Sequence, residues 1–396
     1  MRLAIVLHDR AEWREHLLPM AFTRPVGDFR LGVLTLQQKW QLSLDAPVSF
    51  YTEPYLQDKY RGHADAEEYL VLRANICPTA ELVESLRGLA EESLLEKDGN
   101  WIAYRVKNWT TEPDRSALNV CNFEGEVPCL RFLEDIFLQN ASQIVFDYDL
   151  LTQGQPSAQL HDSNTIIGDK LFVGDNIQAY GCTFNTLDGP IYIANNAQLE
   201  QGCHLRGPIA IGEGARVKMG AKLYPNVSIG PKSTVSGEVN NTVMWANSAK
   251  GHDGYLGCAV IGEGCNIGAG TSNSNLLNNW KTIKLYDYKF NNWRKTNRYK
   301  VGVFMGDFAM CGINSSISTG AVIGVGVQVA TSNIIPKFVR DFSWLTDAKH
   351  ETYVWNKFEN MLKERAIVIK EPLEEKDLRI LWEVFCLTRR DEFSQA

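Results

Sequence analysis

From Ile193 onward, every sixth residue of the chain is aliphatic: Ile193, Leu199, Leu205, Ile211, Val217, Leu223, Ile229 and Val235. Four places beyond each stands a second, smaller member: Ala197, Cys203, Ile209, Ala215, Ala221, Val227, Ser233 and Val239. The rhythm starts weakly at Ile167 and Val173. It returns at Ile261 and Ile267, and again at Ile317, Ile323, Val329 and Ile335. A period of six fits neither an amphipathic helix nor a single half-buried strand. It is the signature of a parallel β-helix built from hexapeptide turns, in which each hexad forms one flat side and its aliphatic residue points inward. Stretches such as "IGEGA" and "IANNA" supply the Gly and Asn that tolerate the corners. The register slips by two between Val235 and Ile261, and again between Ile267 and Ile317. Each slip predicts an extra pair of residues, or a longer insertion, leaving the coil as a loop. The stretch "SAKGHDGYLGCAVIGEGCNIGAG" begins in the first gap and ends in the resumed repeat, with one imidazole, His252, in the break.

The pattern differs at the two ends. "RLAIVLH" and "NWIAYRV" read as strands, "GVLTLQQKWQLSL" has helical spacing, and "EEYLVLRANICPTAELVESLRG" reads as strand, turn and helix with Thr79 as N-cap. Strands alternating with helices predict a small α/β layer domain over 1–155. The β-helix is expected over 156–338. Residues 339–396 carry apolar positions at helical spacing (Val354, Phe358, Met361; Leu378, Leu381, Val384, Phe385), which predicts two helices that cap or brace the coil.

Charge and cysteine usage narrow the function. A net charge of −7 and a pI near 5.6 argue against a general nucleic-acid partner. The nine cysteines are odd in number and form no C-x-x-C, so reduced thiols in the cytoplasm are expected. The N-terminal run is too short and too charged for a signal peptide, and no segment is long enough to span a bilayer.

Three long stretches carry a family resemblance: "KGHDGYLGCAVIGEGCNIGAGTSNSNLLNN", "GVFMGDFAMCGINSSISTGAVIGVG" and "LLPMAFTRPVGDFRLGVLTLQQKW". The chain resembles the bifunctional UDP-N-acetylglucosamine pyrophosphorylase and glucosamine-1-phosphate N-acetyltransferase family, as a divergent branch with a shortened nucleotidyltransferase domain. The resemblance implies a left-handed β-helix and a homotrimer. It also implies acetyl-CoA as co-substrate, with a sugar phosphate and a nucleotide as the other small-molecule partners. It places His252 as general base with Tyr255 beside it, Asn266 and Asn275 on the sugar, and Ala269 offering backbone to the acyl group. The chemistry suits these types: a base that titrates near neutrality can take a proton from an attacking amine. Amides can hold hydroxyls or a developing oxyanion without adding charge. A histidine simply held by a carbonyl, with no chemistry, is the alternative. A metal site is the third reading, and His161, His204 and His252 give it no paired ligand spacing.

Departures from the family qualify its activity. The sugar-phosphate clamp is represented by Lys218, and its second member falls near Ser236, followed by Gly237 and Glu238. An acceptor other than glucosamine-1-phosphate is therefore expected. A basic insertion with interleaved aromatics, including Trp280 and Lys281, offers phosphate and adenine contacts for coenzyme A; a solvated loop or subunit contact is the alternative. In the front domain the Gly-rich phosphate loop is missing, Val26 stands where Lys is expected, and Ala74-Asn75 replaces the Mg²⁺-binding Gly-Asp. Arg24, Arg30, Lys39 and Asn75 remain as candidates for a nucleotide or anion site. Active nucleotidyl transfer with Mg²⁺, binding without turnover, and a structural remnant all stay open. The expected function is sugar-nucleotide biosynthesis by nucleotidyl transfer, amino-sugar N-acetylation or both. The rival is a non-catalytic sugar-nucleotide-binding or scaffold protein.

Overall fold

The computed structural model describes residues 3–62, 65–110 and 114–389. The front unit is a six-stranded mixed sheet in the order β2-β1-β3-β5-β4-β6. Its strands are β1 (Leu3–His8), β2 (Val48–Tyr51), β3 (Glu68–Arg73), β4 (Ser93–Lys97), β5 (Asn100–Val106) and β6 (Asn119–Asn122). β1 is parallel to both β2 and β3, while β5 runs antiparallel to β3. Helix α1 (Leu36–Leu44) starts at a reciprocal cap between Thr35 and Gln38, and α2 (Ala80–Arg87) is capped by the Thr79 hydroxyl, as its sequence predicts. The segment leading out of this unit forms one long helix, α3 (Leu133–Thr152).

Beyond α3 the chain winds into a parallel β-solenoid of about 10 turns. From Ile193 to Val235 the period-six residues point inward, whereas Ile167 faces outward beside Asn185 and it is Ile166 that stacks on buried Phe184. Ile193, Ile211, Val217 and Val235 are fully buried, and so are most of their smaller companions. Three sides follow in each coil. The first begins Thr165–Ile167, Thr183–Asn185, His204–Arg206; the second Leu171–Val173, Ile191–Ile193, Ile209–Ile211; the third Gln178–Ala179, Gln198–Leu199, Arg216–Val217.

The two register slips have opposite origins. At the second, Met305 stacks on Ile261 across an insertion that leaves as a hairpin of Lys284–Asp287 and Asn292–Lys295, in line with the sequence. At the first, nothing is inserted; the coils are shortened. Ile229 pairs with Met244, and Met244 with Ile261, so these coils take 15 and 17 residues in place of 18. A loss of four shifts a six-residue register as a gain of two does, and the sequence alone cannot separate them. The shortening comes from corners. Only Ser236, Gly237 and Glu238 separate Val235 from Val239, and single seven-residue strands, Glu238–Met244 and Tyr255–Ile261, run across the next corner.

The front unit sits on the second side of the solenoid. Outward-facing Val243, Val260, Phe304 and Val322 are fully buried there against Met20, Val26, Phe29 and Leu31 and against Ile136 and Phe137 of α3. Helices α4 (Trp355–Ile369) and α5 (Glu375–Thr388) brace the far coils: Phe358, Leu381, Val384 and Phe385 pack on Val325 and Phe342, and reach Phe22 and Leu56 of the front unit. No helix among the described residues is long and apolar enough to cross a membrane.

One ion cluster pins the two units. The Arg24 guanidinium donates to Asp307 Oδ2 at 2.7 Å and Glu263 Oε2 at 2.8 Å, and lies 4.6 Å from the Trp245 ring centroid. Thr23 Oγ1 donates to the same Asp307 oxygen at 2.6 Å. Removing the cation leaves the buried Asp307 carboxylate uncompensated, which typically costs about 3–5 kcal/mol. Arg24→Met is therefore expected to lower the unfolding free energy by about 3 kcal/mol in urea denaturation. A loss under about 0.5 kcal/mol, the scale of an ordinary surface substitution, would show the cluster to be unimportant.

Candidate functional site

The shortened corner explains where His252 stands. In the coil below, three residues turn from the third side to the first. In the His252 coil, Gly251, His252, Asp253, Gly254 and Tyr255 separate Lys250 from Leu256. The longer corner overhangs the tighter one and rests on it. Gly237 and Gly254 both hold left-handed backbone, with φ of 77° and 131°. A Cβ on Gly237 would lie 2.5 Å from Gly254 O, and one on Gly254 would lie 2.1 Å from Thr271 O. Glycine is required at both for the loop to lie flat between coils. His252 and Asp253 are exposed at its crest.

Several predicted residues converge on this corner. Tyr255 Oη accepts from Asn275 Nδ2 at 2.9 Å, and Asn275 also reaches Cys258 Sγ at 3.5 Å. Asp253 O accepts from Gly270 N at 3.1 Å, which ties the loop to the corner holding Ala269. Lys218 lies two coils below; a Cβ on Gly251 would stand 3.8 Å from its Cδ. Asn266 is exposed on the third side, opposite Ala249, in the coil above the loop. Ser236 is buried and donates its amide to Lys250 O at 2.7 Å, and Glu238 lies between Lys222 and Tyr255 in the ladder. Burial raises the Tyr255 phenol and the Cys258 thiol, so both stay protonated at neutral pH.

Sequence reading missed three members of the network. Asn273 bonds both backbone groups of Gly257, at 2.8 and 3.0 Å. Ser272 Oγ accepts from Tyr255 N at 2.9 Å. Lys250 lies beneath the loop with its ammonium on the carbonyl of His252. All three stand in the quoted family stretch, but the register slip hid that Lys250 faces the core.

Part of the basic insertion is a clasp on the front unit, while Lys284, Lys295, Arg298 and Lys300 stay exposed. Arg294 forks onto the Glu134 carboxylate at 2.9 and 2.6 Å, Lys289 reaches Glu12 at 2.8 Å, and Asp287 holds His16 at 2.8 Å. Trp280 and Lys281 are exposed at its start, and Trp280 keeps 71% of its surface.

The front unit has its own cavity, about 410 Å³, at the C-terminal edge of β1 and β3. Arg73, Lys97 and Arg131 line it, with Trp13, Asn75 and Cys129. Asn75 is fully buried; its Nδ2 donates to Leu130 O at 3.0 Å while its Oδ1 has no partner. The other candidate cations lie elsewhere. Lys39 is fully buried on Asp147, Arg24 is held in the ion cluster, and Arg30 donates to Val33 O. These three serve carboxylates and carbonyls of the protein itself, and none lines the cavity. Mg²⁺ fits this wall poorly. Asp98, exposed at the β4–β5 turn, is its one carboxylate, and among the described residues no group of three or more His, Cys, Asp or Glu is placed to hold a metal.

Comparison with known proteins follows this division. Residues 5–156 match the sugar nucleotidyl transferase family model. The "Bifunctional protein GlmU" of Methanocaldococcus jannaschii is 29% identical over 31% of this chain and 28% of its own length. The bifunctional sugar-1-phosphate nucleotidylyltransferase/acetyltransferase of Sulfurisphaera tokodaii is 32% identical over 27% of this chain and 26% of its own. The matches thus span little more than a quarter of these relatives. Among solved structures, the UDP-N-acetylglucosamine acyltransferase from Campylobacter jejuni aligns with 56% of this chain and 94% of its own, at 14% identity and a TM-score of 0.31. Over residues 5–156 the chain is thus similar to the sugar nucleotidyl transferase family, and over about a third of its length it is similar to bifunctional GlmU proteins.

Proposed function

We propose that the chain is a transferase of sugar-nucleotide biosynthesis whose solenoid moves an acetyl group from acetyl-CoA to the nitrogen of an activated amino sugar. One observation carries this reading: the exposed His252 crest stands over a tightened corner, beside the Tyr255–Asn275 pair and tied to the Ala269 corner. In the proposed step His252 takes the proton of the attacking amine, while Tyr255, Asn266 and Asn275 orient the sugar. The amine forms the new N–C bond, and coenzyme A leaves as its thiol. Lys218, below the loop, supplies a cation for the acceptor's phosphate. Glu238 beside Tyr255 disfavours a phosphate at that point, which supports an acceptor other than glucosamine-1-phosphate. Trp280 and Lys281 are proposed for coenzyme A as an exposed aromatic beside an exposed cation at the start of the insertion. A homotrimer would supply the site's second wall. Exposed Ile167 and Tyr224 on the first side support a facing subunit.

For the front domain, the cavity supports binding of a nucleotide or sugar phosphate without metal-dependent transfer. Three cations and an unpaired amide oxygen on its wall suit an anionic, hydrogen-bonding ligand, and the missing carboxylates argue against a Mg²⁺ centre. This observation keeps the binding-protein reading alive for residues 5–156.

Two outcomes follow. His252→Ala is expected to keep the parent's melting temperature and to slow thiol release from acetyl-CoA by roughly 10²–10⁴ on a panel of amino-sugar phosphates and nucleotide amino sugars. An active parent whose mutant retains full rate would exclude His252 as the base. UTP and UDP-N-acetylglucosamine, titrated calorimetrically, are expected to bind with the same affinity in EDTA as in Mg²⁺, within about threefold. The Arg73→Ala, Arg131→Ala double variant should bind at least about tenfold more weakly. Binding that appears only with Mg²⁺ would restore the metal-dependent reading.

A further inference from the structure

On the third side of the solenoid, Leu199, Val217 and Val235 stack in succession, and Ile267, Cys311, Val329 and Leu345 continue the column above. Lys250 takes the place between Val235 and Ile267. It is fully buried. An ammonium ion in an aliphatic column is unfavourable unless its hydrogens are satisfied, and an unbranched apolar side chain would fill the same space without that cost. The Lys250 Nζ donates to the carbonyl of His252 and, at 3.1 Å, to that of Asp253. Burial lowers its pKa to about 8, opposed by the Asp253 carboxylate, so it remains largely charged at neutral pH. The loop is closed from the other direction as well. Gly270 N donates to Asp253 O at 3.1 Å, and Glu238 N donates to Gly254 O at 3.2 Å. A Cβ on Gly254 would lie 3.3 Å from Lys250 Nζ, so the ammonium is packed directly beneath the backbone it holds.

We propose that Lys250 is a positioning residue, which fixes the backbone of His252 from inside the solenoid and so sets where the imidazole stands. The assignment rests on the proposed acyl transfer for its catalytic consequence, but not for its structural content. The cost of burying the lysine falls on the core, and its benefit falls on the loop. Stability and loop order should therefore move apart when the ammonium is removed.

Lys250→Met separates them, because methionine has comparable length and suits an apolar column. The variant is expected to melt at the same temperature as the parent or higher. Its Gly270 and Glu238 amides, which donate to loop carbonyls, should exchange with deuterium at least about tenfold faster, reporting local opening. With an active parent, kcat should fall about 10- to 100-fold, the scale of a roughly 1 Å misplacement, with KM changed less than about threefold. Unchanged exchange at both amides overturns the proposal whatever the rate does. A lower melting temperature with unaltered kcat overturns it too, because that is the result of a purely structural lysine. If the parent transfers no acyl group to any acceptor, the proposed function fails, and the exchange experiment alone decides the role of Lys250.

Discussion

The stacking of one inward aliphatic side chain on its equivalent a coil away is the constraint from which the rest of the molecule follows. Each coil buries its apolar residues only against its two neighbours, so the register must hold from one coil to the next. Any change in coil length has to be absorbed at corners, because the sides are fixed by the ladder. Three residues are lost where Val235 turns to Val239 and where Val239 runs to Met244, and the next coil keeps its full first corner. The result is an overhang with His252 at its crest. The loop exists because two successive coils differ in length, and its glycines are needed because it lies against backbone above and below.

The same rigidity gives the front unit a seat. A β-solenoid side is flat and regular, and on the second side its outward residues turn apolar, from Ala210 and Ser228 to Val243, Val260, Phe304 and Val322. α3 and the segment after β1 cover that strip, and the hairpin inserted into the solenoid reaches back to hold Glu12, His16 and Glu134. Charges far apart in sequence are thereby paired: Arg24 with Asp307, Arg294 with Glu134. The two units share one apolar cluster as well as these ion pairs, which favours a single rigid body over two domains on a tether.

Much of this was legible because it is local and periodic. The column from Ile193 to Val235, the Thr79 cap and the two C-terminal helices depend on neighbours within a few residues or on a repeat, and the structure places them as the pattern implies. The sign of the first register slip was not legible, because four residues fewer and two residues more give the same phase. That ambiguity also concealed Lys250, which occupies a core position only once the shortened count is known. Long-range pairing was illegible for a different reason. The pairing of Arg24, Lys39, Lys289 and Arg294 is illegible in the sequence because their shortest contacts are to carboxylates more than 100 residues away. The front cavity was partly legible through Asn75, whereas Lys97 and Arg131 come from the end of β4 and the approach to α3, which no motif marks.

The proposed acyl transfer brings an acyl thioester and an amino sugar together at the corner between His252 and Ala269. A crystal structure of the protein with an unreactive acetyl-CoA analogue and an amino-sugar acceptor tests it most directly. The account predicts the acyl carbonyl at the Ala269 corner and the acceptor nitrogen within hydrogen-bond reach, about 3 Å, of the His252 ring. An acyl group bound on another face of the solenoid, with His252 left facing solvent, would contradict it.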